Sequence, residues 1–126
     1  MTCLTMTLGA DHFKTGIAVA PVTDWKFYDT IYTERYMDTP QRNPEGYRLT
    51  SPITYASKFN GKLLIVHGTT DDNVHWQNTI ALVDELIAQN KQVQTMFYPG
   101  RTHGISGGNT SLHLYSLMTN YLLANL

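Results

Sequence analysis

Two loops in this 126-residue sequence carry side chains that are able to do acid–base chemistry. In residues 67–75 the adjacent acids Asp71 and Asp72 follow an apolar run, and in residues 98–104 His103 lies next to glycine. A carboxylate can fix the tautomer of an imidazole and stabilise its positive charge, and the imidazole can then take a proton from a hydroxyl group. The sequence therefore offers the acid and the base of a nucleophilic catalytic apparatus.

The order of these residues favours one class of enzyme. Asp71 and His103 are 32 positions apart, each just after a predicted strand, which fits the Ser, Asp, His chain order of α/β-hydrolases. Each residue alone has a simpler interpretation, since paired acids often cap a helix and a single loop histidine carries little information. We assign the cap to Asp72, because Asp71 lies on the turn that leaves the strand.

A candidate nucleophile can be set aside. Residues 104–108 match the G-x-S-x-G pattern with Ser106 at its centre, but a nucleophile elbow needs a strand directly before the serine and a helix directly after it. Ser106 lies in a glycine-rich loop downstream of both Asp71 and His103. We therefore expect the nucleophile to be absent from this chain.

Three apolar runs and several helical patterns must position the two loops. The predicted strands are Gly16–Val22, Lys62–His67 and Val93–Tyr98. The predicted helices are Met1–Leu8, Ile31–Met37, Ile53–Phe59, a helix through residues 80–87 and a C-terminal helix after residues 107–111. Strands that alternate with helices predict an α/β fold with a parallel sheet, in which functional groups gather at the carboxyl ends of the strands.

The spacing of apolar residues predicts which helix faces are buried. In the helix after the second strand we expect a buried stripe of Ile80, Val83, Leu86 and Ile87. In the C-terminal helix the expected stripe is Leu114, Leu117, Met118, Tyr121 and Leu122. A sheet of three strands would leave its first strand as an open edge. We therefore expect residues 1–126 to be one C-terminal portion of a domain that is incomplete without upstream chain.

Composition and charge exclude several functions. The net charge is −1 and there is no run of basic residues, which argues against nucleic acid or an anionic membrane surface as a partner. No stretch approaches the ~20 apolar residues of a membrane span. The single Cys3 excludes an internal disulfide, and His12, His67, His75 and His113 form no metal-ligand pattern and are expected to be structural or exposed. We expect no metal or cofactor, and a periplasmic or a cytoplasmic location is equally compatible.

Residues 19–37 and 67–75 resemble dipeptidyl-peptidase IV-like serine peptidases of the prolyl oligopeptidase family, and the resemblance covers essentially the whole chain. In that family the serine elbow reads Gly-Trp-Ser-Tyr-Gly-Gly and precedes a helix similar to Met1–Leu8. The resemblance implies the C-terminal part of an α/β-hydrolase peptidase domain, with the elbow and any β-propeller upstream.

The resemblance also implies a role for individual residues. Asp71 would be the acid and His103 the base of the triad, while Asn73 and Arg35 would hold a substrate carbonyl. A pocket for proline or alanine would be lined by Val22, Trp25, Tyr28, Tyr32 and Val74. Members of the family form homodimers through the C-terminal helix, so residues 112–126 would either form an interface or simply pack on the sheet.

The residues and the resemblance together predict that the chain is a fragment of a serine exopeptidase. The full-length parent protein would release X-Pro or X-Ala dipeptides from peptides. Two alternatives stay open: a non-catalytic family member that acts as an interaction module, and another α/β-hydrolase such as an acylaminoacyl peptidase or an esterase. Without the serine and the upstream part of the sheet, we expect this chain alone to be inactive and poorly soluble.

Overall fold

A parallel three-stranded sheet forms the centre of the computed structural model, which describes residues 1–126. The strands are β1 (Thr15–Val19), β2 (Lys62–Gly68) and β3 (Gln94–Tyr98). They lie in the order β1-β2-β3 and both pairs are parallel. The predicted α/β class is therefore confirmed, and β1 lies at one edge of the sheet as expected.

The first strand is shorter than the prediction. It ends at Val19, whereas the apolar pattern extended it to Val22. Ala20 has φ of 46°, which takes the chain out of the extended conformation, although its N–H still donates to the carbonyl of Val66 over 2.8 Å. Pro21 follows and has no N–H to continue the ladder.

Five α-helices and two 3-10 segments surround the sheet. The helices are α1 (Thr2–Leu8), α2 (Thr30–Met37), α3 (Pro44–Thr50), α4 (Gln77–Ala88) and α5 (Thr110–Asn125). The 3-10 segments are Trp25–Phe27 and Pro52–Lys58. The second of them replaces the helix predicted for Ile53–Phe59, because the backbone kinks at Tyr55. Helix α3 was not predicted, although Asn43 caps it and Pro44 begins it, which are ordinary start signals.

Alternate residues of β2 serve two separate apolar clusters, one on each face of the sheet. Leu63 and Ile65 pack with α1, α4 and the segment Pro52–Lys58 on one face. Leu64 and Val66 pack with α5 on the other face. Ile65 and Val66 are 0% exposed, so β2 is the strand that both layers of helices fix in place.

The buried stripe of α4 differs from the prediction. Ile80 and Ile87 are exposed, while Leu82 and Leu86 are buried together with two polar residues, Asn78 and Thr79. The side chain of Asn78 accepts a hydrogen bond from the backbone N–H of Thr23 over 2.9 Å. Hydrogen bonds of this kind permit polar residues to occupy a buried face, which an apolar pattern cannot reveal.

Helix α5 presents apolar residues on two sides. Leu114 and Tyr121 are buried against the sheet, with Leu117 and Met118 partly buried beside them, as predicted. Leu122, predicted for the same stripe, lies at its exposed rim. The outward side carries four strongly exposed apolar residues, Leu112, Tyr115, Leu123 and Leu126.

No helix of the chain combines the length and the apolar content that crossing a bilayer demands.

Candidate active site

The carboxyl ends of β2 and β3 bring Asp71 and His103 together. Asp71 Oδ2 lies 2.9 Å from Nδ1 of His103. The Asp71 side chain is 0% exposed, whereas that of His103 is 42% exposed. The other ring nitrogen of His103, Nε2, makes no hydrogen bond within the chain, so a hydroxyl group from outside these residues can approach it. The catalytic roles of both residues stay a prediction.

The second carboxylate oxygen of Asp71 holds the turn that leaves β2. Oδ1 accepts hydrogen bonds from the backbone N–H groups of Asn73, over 3.0 Å, and Val74, over 2.9 Å. Asp72, assigned to the helix cap, is exposed, and α4 begins only at Gln77, so that assignment was wrong. Because Asp71 satisfies the amides of the turn itself, it both caps the turn and contacts His103.

These contacts determine the ionisation of Asp71. Burial raises the pKa of its carboxyl group, but the hydrogen bond from His103 lowers it, as do the amides of Asn73 and Val74 and the charge of His103. The net effect is a pKa below the ordinary value. Asp71 is therefore ionised at neutral pH and can stabilise a positive charge on the imidazole of His103.

A close backbone approach fixes the loop that carries His103. The N–H of Thr70 donates to the carbonyl of Arg101 over 3.2 Å. Gly68 lies so near this loop that a Cβ atom there would overlap the carbonyl oxygen of Arg101 and lie 2.8 Å from that of Thr102. Two residues after His103, Ile105 is buried in a left-handed conformation with φ of 43°. The loop is thus held both where it leaves β3 and just beyond the histidine.

Aromatic rings form a continuous cluster beside the turn. The ring centroids of Trp25 and Tyr28 are 5.9 Å apart, those of Tyr28 and Tyr32 are 5.5 Å apart, and those of Tyr32 and Tyr36 are 5.2 Å apart. The hydroxyl of Tyr28 donates to Oδ1 of Asn73 over 2.6 Å. This bond connects the cluster to the turn that Asp71 holds. Tyr36 is a member that the sequence did not single out.

The other residues predicted to bind substrate, Val22, Val74 and Arg35, have different surroundings. Val22 and Trp25 border a cavity of about 520 Å³ beside α1, while Trp25, Tyr32 and Tyr36 line a separate one of about 200 Å³. The side chain of Val74 is buried. Arg35 is exposed on α2 and makes no hydrogen bond or ion pair with Asp71, His103 or Asn73.

Ser106 follows His103 by three positions in the chain, and His67 precedes Asp71 by four. Ser106 is exposed in the loop between β3 and α5, with no strand directly before it, so it lacks the elbow context. His67 is completely buried, and its Nε2 lies 3.2 Å from Asp71 Oδ2. The prediction left His67 as structural or exposed and missed this contact. The sequence did offer a signal for this contact, because His67 is a polar residue inside a continuous apolar strand, four positions before Asp71.

The fold matches that of α/β-hydrolase domains in solved structures. The crystal structure of Porphyromonas gingivalis dipeptidyl peptidase 4 superposes with a TM-score of 0.97 and 46% identity, covering 99% of this chain and 18% of that one. A putative dipeptidyl aminopeptidase IV from Bacteroides ovatus gives a TM-score of 0.96 and 36% identity, covering 100% of this chain and 18% of that one. The sheet and its flanking helices are therefore part of an α/β-hydrolase fold.

Family membership follows from the sequence comparisons. The model of the prolyl oligopeptidase family matches residues 1–126, and the chain belongs to this peptidase family. A probable dipeptidyl-aminopeptidase B from Aspergillus terreus is 49% identical over 113 residues, which are 88% of this chain and 12% of the relative. Its counterpart from Emericella nidulans is 45% identical over 126 residues, which are 98% of this chain and 14% of that protein. The chain thus spans only a small part of the length of these relatives.

Proposed function

We propose that the chain is part of a serine exopeptidase that releases X-Pro or X-Ala dipeptides from the N-termini of peptides. Asp71 serves as the acid and His103 as the base of a Ser-Asp-His triad. The hydrogen bond of 2.9 Å between Asp71 Oδ2 and His103 Nδ1 carries the proposal. The names of the relatives, dipeptidyl peptidase 4 and dipeptidyl-aminopeptidase B, support the substrate class.

The chemistry of the pair is acyl transfer. Nε2 of His103 takes the proton of a serine hydroxyl supplied by chain outside these residues, and the serine oxygen attacks the carbonyl carbon of the scissile peptide bond. The imidazolium then gives its proton to the leaving amine, and the dipeptide remains as an ester on the serine. Water hydrolyses that ester with His103 again as the base, which releases the dipeptide. Asp71 holds the imidazole tautomer and its charge throughout.

The aromatic cluster supplies the specificity in this proposal. A proline ring presents compact apolar area and adds no N–H donor that the pocket would have to satisfy. Val22, Trp25, Tyr28, Tyr32 and Val74 are assigned to this pocket. Asn73, which the Tyr28 hydroxyl orients, holds the substrate carbonyl. The same role for Arg35 rests on the family resemblance alone, since Arg35 makes no hydrogen bond or ion pair with Asp71, His103 or Asn73.

Hydrolysis of Gly-Pro-nitroanilide by the full-length protein tests the proposal. Replacing His103→Ala is expected to lower kcat by at least about 10³-fold, because the base is lost. His12→Ala, which changes an exposed histidine in the turn after α1, is the matched control and is expected to keep the activity. Retention of full activity in the His103→Ala variant would refute the assignment. A folded wild-type protein without any hydrolytic activity would instead support an interaction module, and cleavage of acylated peptides or esters alone would indicate another hydrolase.

The outward side of α5 supports self-association of the full-length protein. Its apolar residues, among them Leu123 with 79% exposure, are open to solvent in this chain. A helix that is apolar on both sides usually has a partner on each side. We assign the outward side to a homodimer interface, and leave packing on the sheet to Leu114 and Tyr121.

A further inference from the structure

His67 lies in a buried position where each ring nitrogen has a partner. Nδ1 is 2.7 Å from the hydroxyl of Thr79 on α4, and Nε2 is 2.8 Å from the carbonyl oxygen of Val74. Nε2 is also 3.2 Å from Oδ2 of Asp71, and both side chains are 0% exposed. The ring thus spans the space between α4 and the turn that carries Asp71.

The partners determine where the ring carries its proton. A backbone carbonyl can only accept a hydrogen bond, so the contact with Val74 requires a hydrogen on Nε2. In the neutral ring Nδ1 is then the acceptor, and the hydroxyl of Thr79 donates to it. This tautomer satisfies the carbonyl and the hydroxyl without a buried charge, and the Nε2 atom that donates to Val74 also lies 3.2 Å from Oδ2 of Asp71.

Both oxygens of the Asp71 carboxylate consequently have close partners. Oδ1 receives the amides of Asn73 and Val74, and Oδ2 lies between Nε2 of His67 and Nδ1 of His103. Val74 is held twice, since its N–H donates to Asp71 and its carbonyl accepts from His67. Besides His103, the carboxylate therefore has contacts with the amides of the turn and with the buried ring of His67.

We propose that His67 is a positioning residue, which orients Asp71 toward His103 by donating its Nε2–H to the Asp71 turn. The inference rests on the proposed function, because it gives His67 a role in the same triad. A purely structural histidine would need its hydrogen bonds only for stability. A positioning histidine must in addition keep a donor at the place of Nε2.

Two amide variants of the full-length protein separate these roles. The side chain of His67→Gln is long enough to place a donor near Nε2, whereas that of His67→Asn reaches only the side of Nδ1 and Thr79. On Gly-Pro-nitroanilide we expect His67→Asn to lower kcat by about 10²-fold, the order of loss that follows a misplacement of about 1 Å. His67→Gln is expected to stay within roughly tenfold of wild type, and KM is expected to change by less than about threefold in both variants.

Thr79→Val is the matched control for stability. It removes the hydrogen bond to Nδ1 and leaves the Nε2 side intact, so we expect a lower melting temperature with kcat within about threefold of wild type. Equal kcat values for His67→Asn and His67→Gln would overturn the proposal, as would a loss of kcat in Thr79→Val as large as that in His67→Asn.

Crystal structures of the full-length wild type and the two His67 variants keep the inference testable without activity. We expect the bond between Asp71 Oδ2 and His103 Nδ1 to be kept in His67→Gln and broken in His67→Asn. An unchanged bond in His67→Asn would overturn the proposal. A wild-type protein that keeps the bond yet hydrolyses no X-Pro substrate would contradict the proposed function and leave the structural comparison to decide the role of His67. If His67→Asn does not fold, then a displaced Asp71 in His67→Gln would overturn the proposal and an undisplaced one would support it.

Discussion

The hydroxyl of Tyr28 donates to Oδ1 of Asn73 across 2.6 Å, and this contact joins the aromatic cluster to the turn of the proposed acid. Tyr28 lies on the segment after β1, and Asn73 lies on the turn after β2. The bond orients the amide of Asn73, which therefore presents its N–H groups away from Tyr28. The hydrogen bond between Tyr28 and Asn73 thus links the proposed substrate pocket to the turn that carries Asp71.

Replacing Tyr28→Phe tests this connection. The change keeps the ring and removes the hydroxyl, so we expect KM for Gly-Pro-nitroanilide to rise about fivefold, as the loss of one hydrogen bond of ~1 kcal/mol implies. Tyr36→Phe is the control, because the hydroxyl of Tyr36 makes no hydrogen bond in the chain and the residue is 69% exposed. Steady-state kinetics of the two full-length variants measure KM in each case. The same rise in both variants would show that the hydroxyl of Tyr28 has no special role.

Gly68→Ala is expected to displace the loop of His103. A methyl group at this position overlaps the carbonyl oxygen of Arg101, and a backbone atom cannot rotate away as a side chain can. We expect kcat to fall on the order of 10²-fold. In Gly104→Ala the new methyl group meets nothing closer than the hydroxyl of Ser106 at 3.8 Å, so this neighbour of His103 should tolerate the change. Equal losses in the two variants would contradict a role for the close approach.

Asp71 should make the stability of the protein depend on pH in acid. Because its pKa in the folded protein lies below the ordinary value, ionised Asp71 stabilises the folded state above its unfolded pKa of about 3.9, and this contribution is lost as the pH falls through the lower folded pKa. We expect the difference in melting temperature between wild type and Asp71→Asn to be constant near neutral pH and to shrink below about pH 4.

Differential scanning fluorimetry of the full-length proteins across this pH range measures the effect. Asp72→Asn removes the same charge from an exposed neighbour and is the matched control. An identical pH profile for the two variants would show that the contacts of Asp71 contribute nothing to the acid dependence. The proposed function predicts that the same Asp71→Asn variant loses activity by about 10⁴-fold, the loss that a wrongly fixed histidine tautomer causes in serine peptidases.

A charge on the outward side of α5 should disrupt the proposed dimer. Leu123→Asp places a carboxylate among exposed apolar residues, and burying it in an interface without a partner would cost several kcal/mol. We expect light scattering after gel filtration to show monomers for this variant and dimers for wild type. Asn120→Asp adds a charge at another exposed position of the same helix and should leave the dimer intact. A monomeric wild-type protein would disprove the interface.

The fold was largely predictable from apolar periodicity, and the proposed pair from strand order. The buried runs identified β2 and β3 within two residues, and those strands bring Asp71 and His103 to one edge. The prediction failed where buried polar residues replace apolar ones. In α4 the buried stripe includes Asn78 and Thr79, whose burial depends on partners far along the chain.

The contact of His67 with Asp71 was hidden for the same reason. The histidine occupies an apolar position, and only the folded turn shows which groups its ring nitrogens meet. The orientation of Asn73 by Tyr28 likewise depends on two segments that are 45 residues apart. The family resemblance assigned Tyr28 and Asn73 to the site without their mutual bond, and His67 was left as structural or exposed.

The unequal burial of Asp71 and His103 has a consequence for covalent chemistry. With 0% of the carboxylate and 42% of the imidazole exposed, an acylating reagent selective for histidine can reach His103, whereas a carbodiimide that activates carboxyl groups meets a sealed Asp71. In this chain the pair is therefore open to labelling through the imidazole alone, and a reagent that modifies the carboxylate must first open the turn.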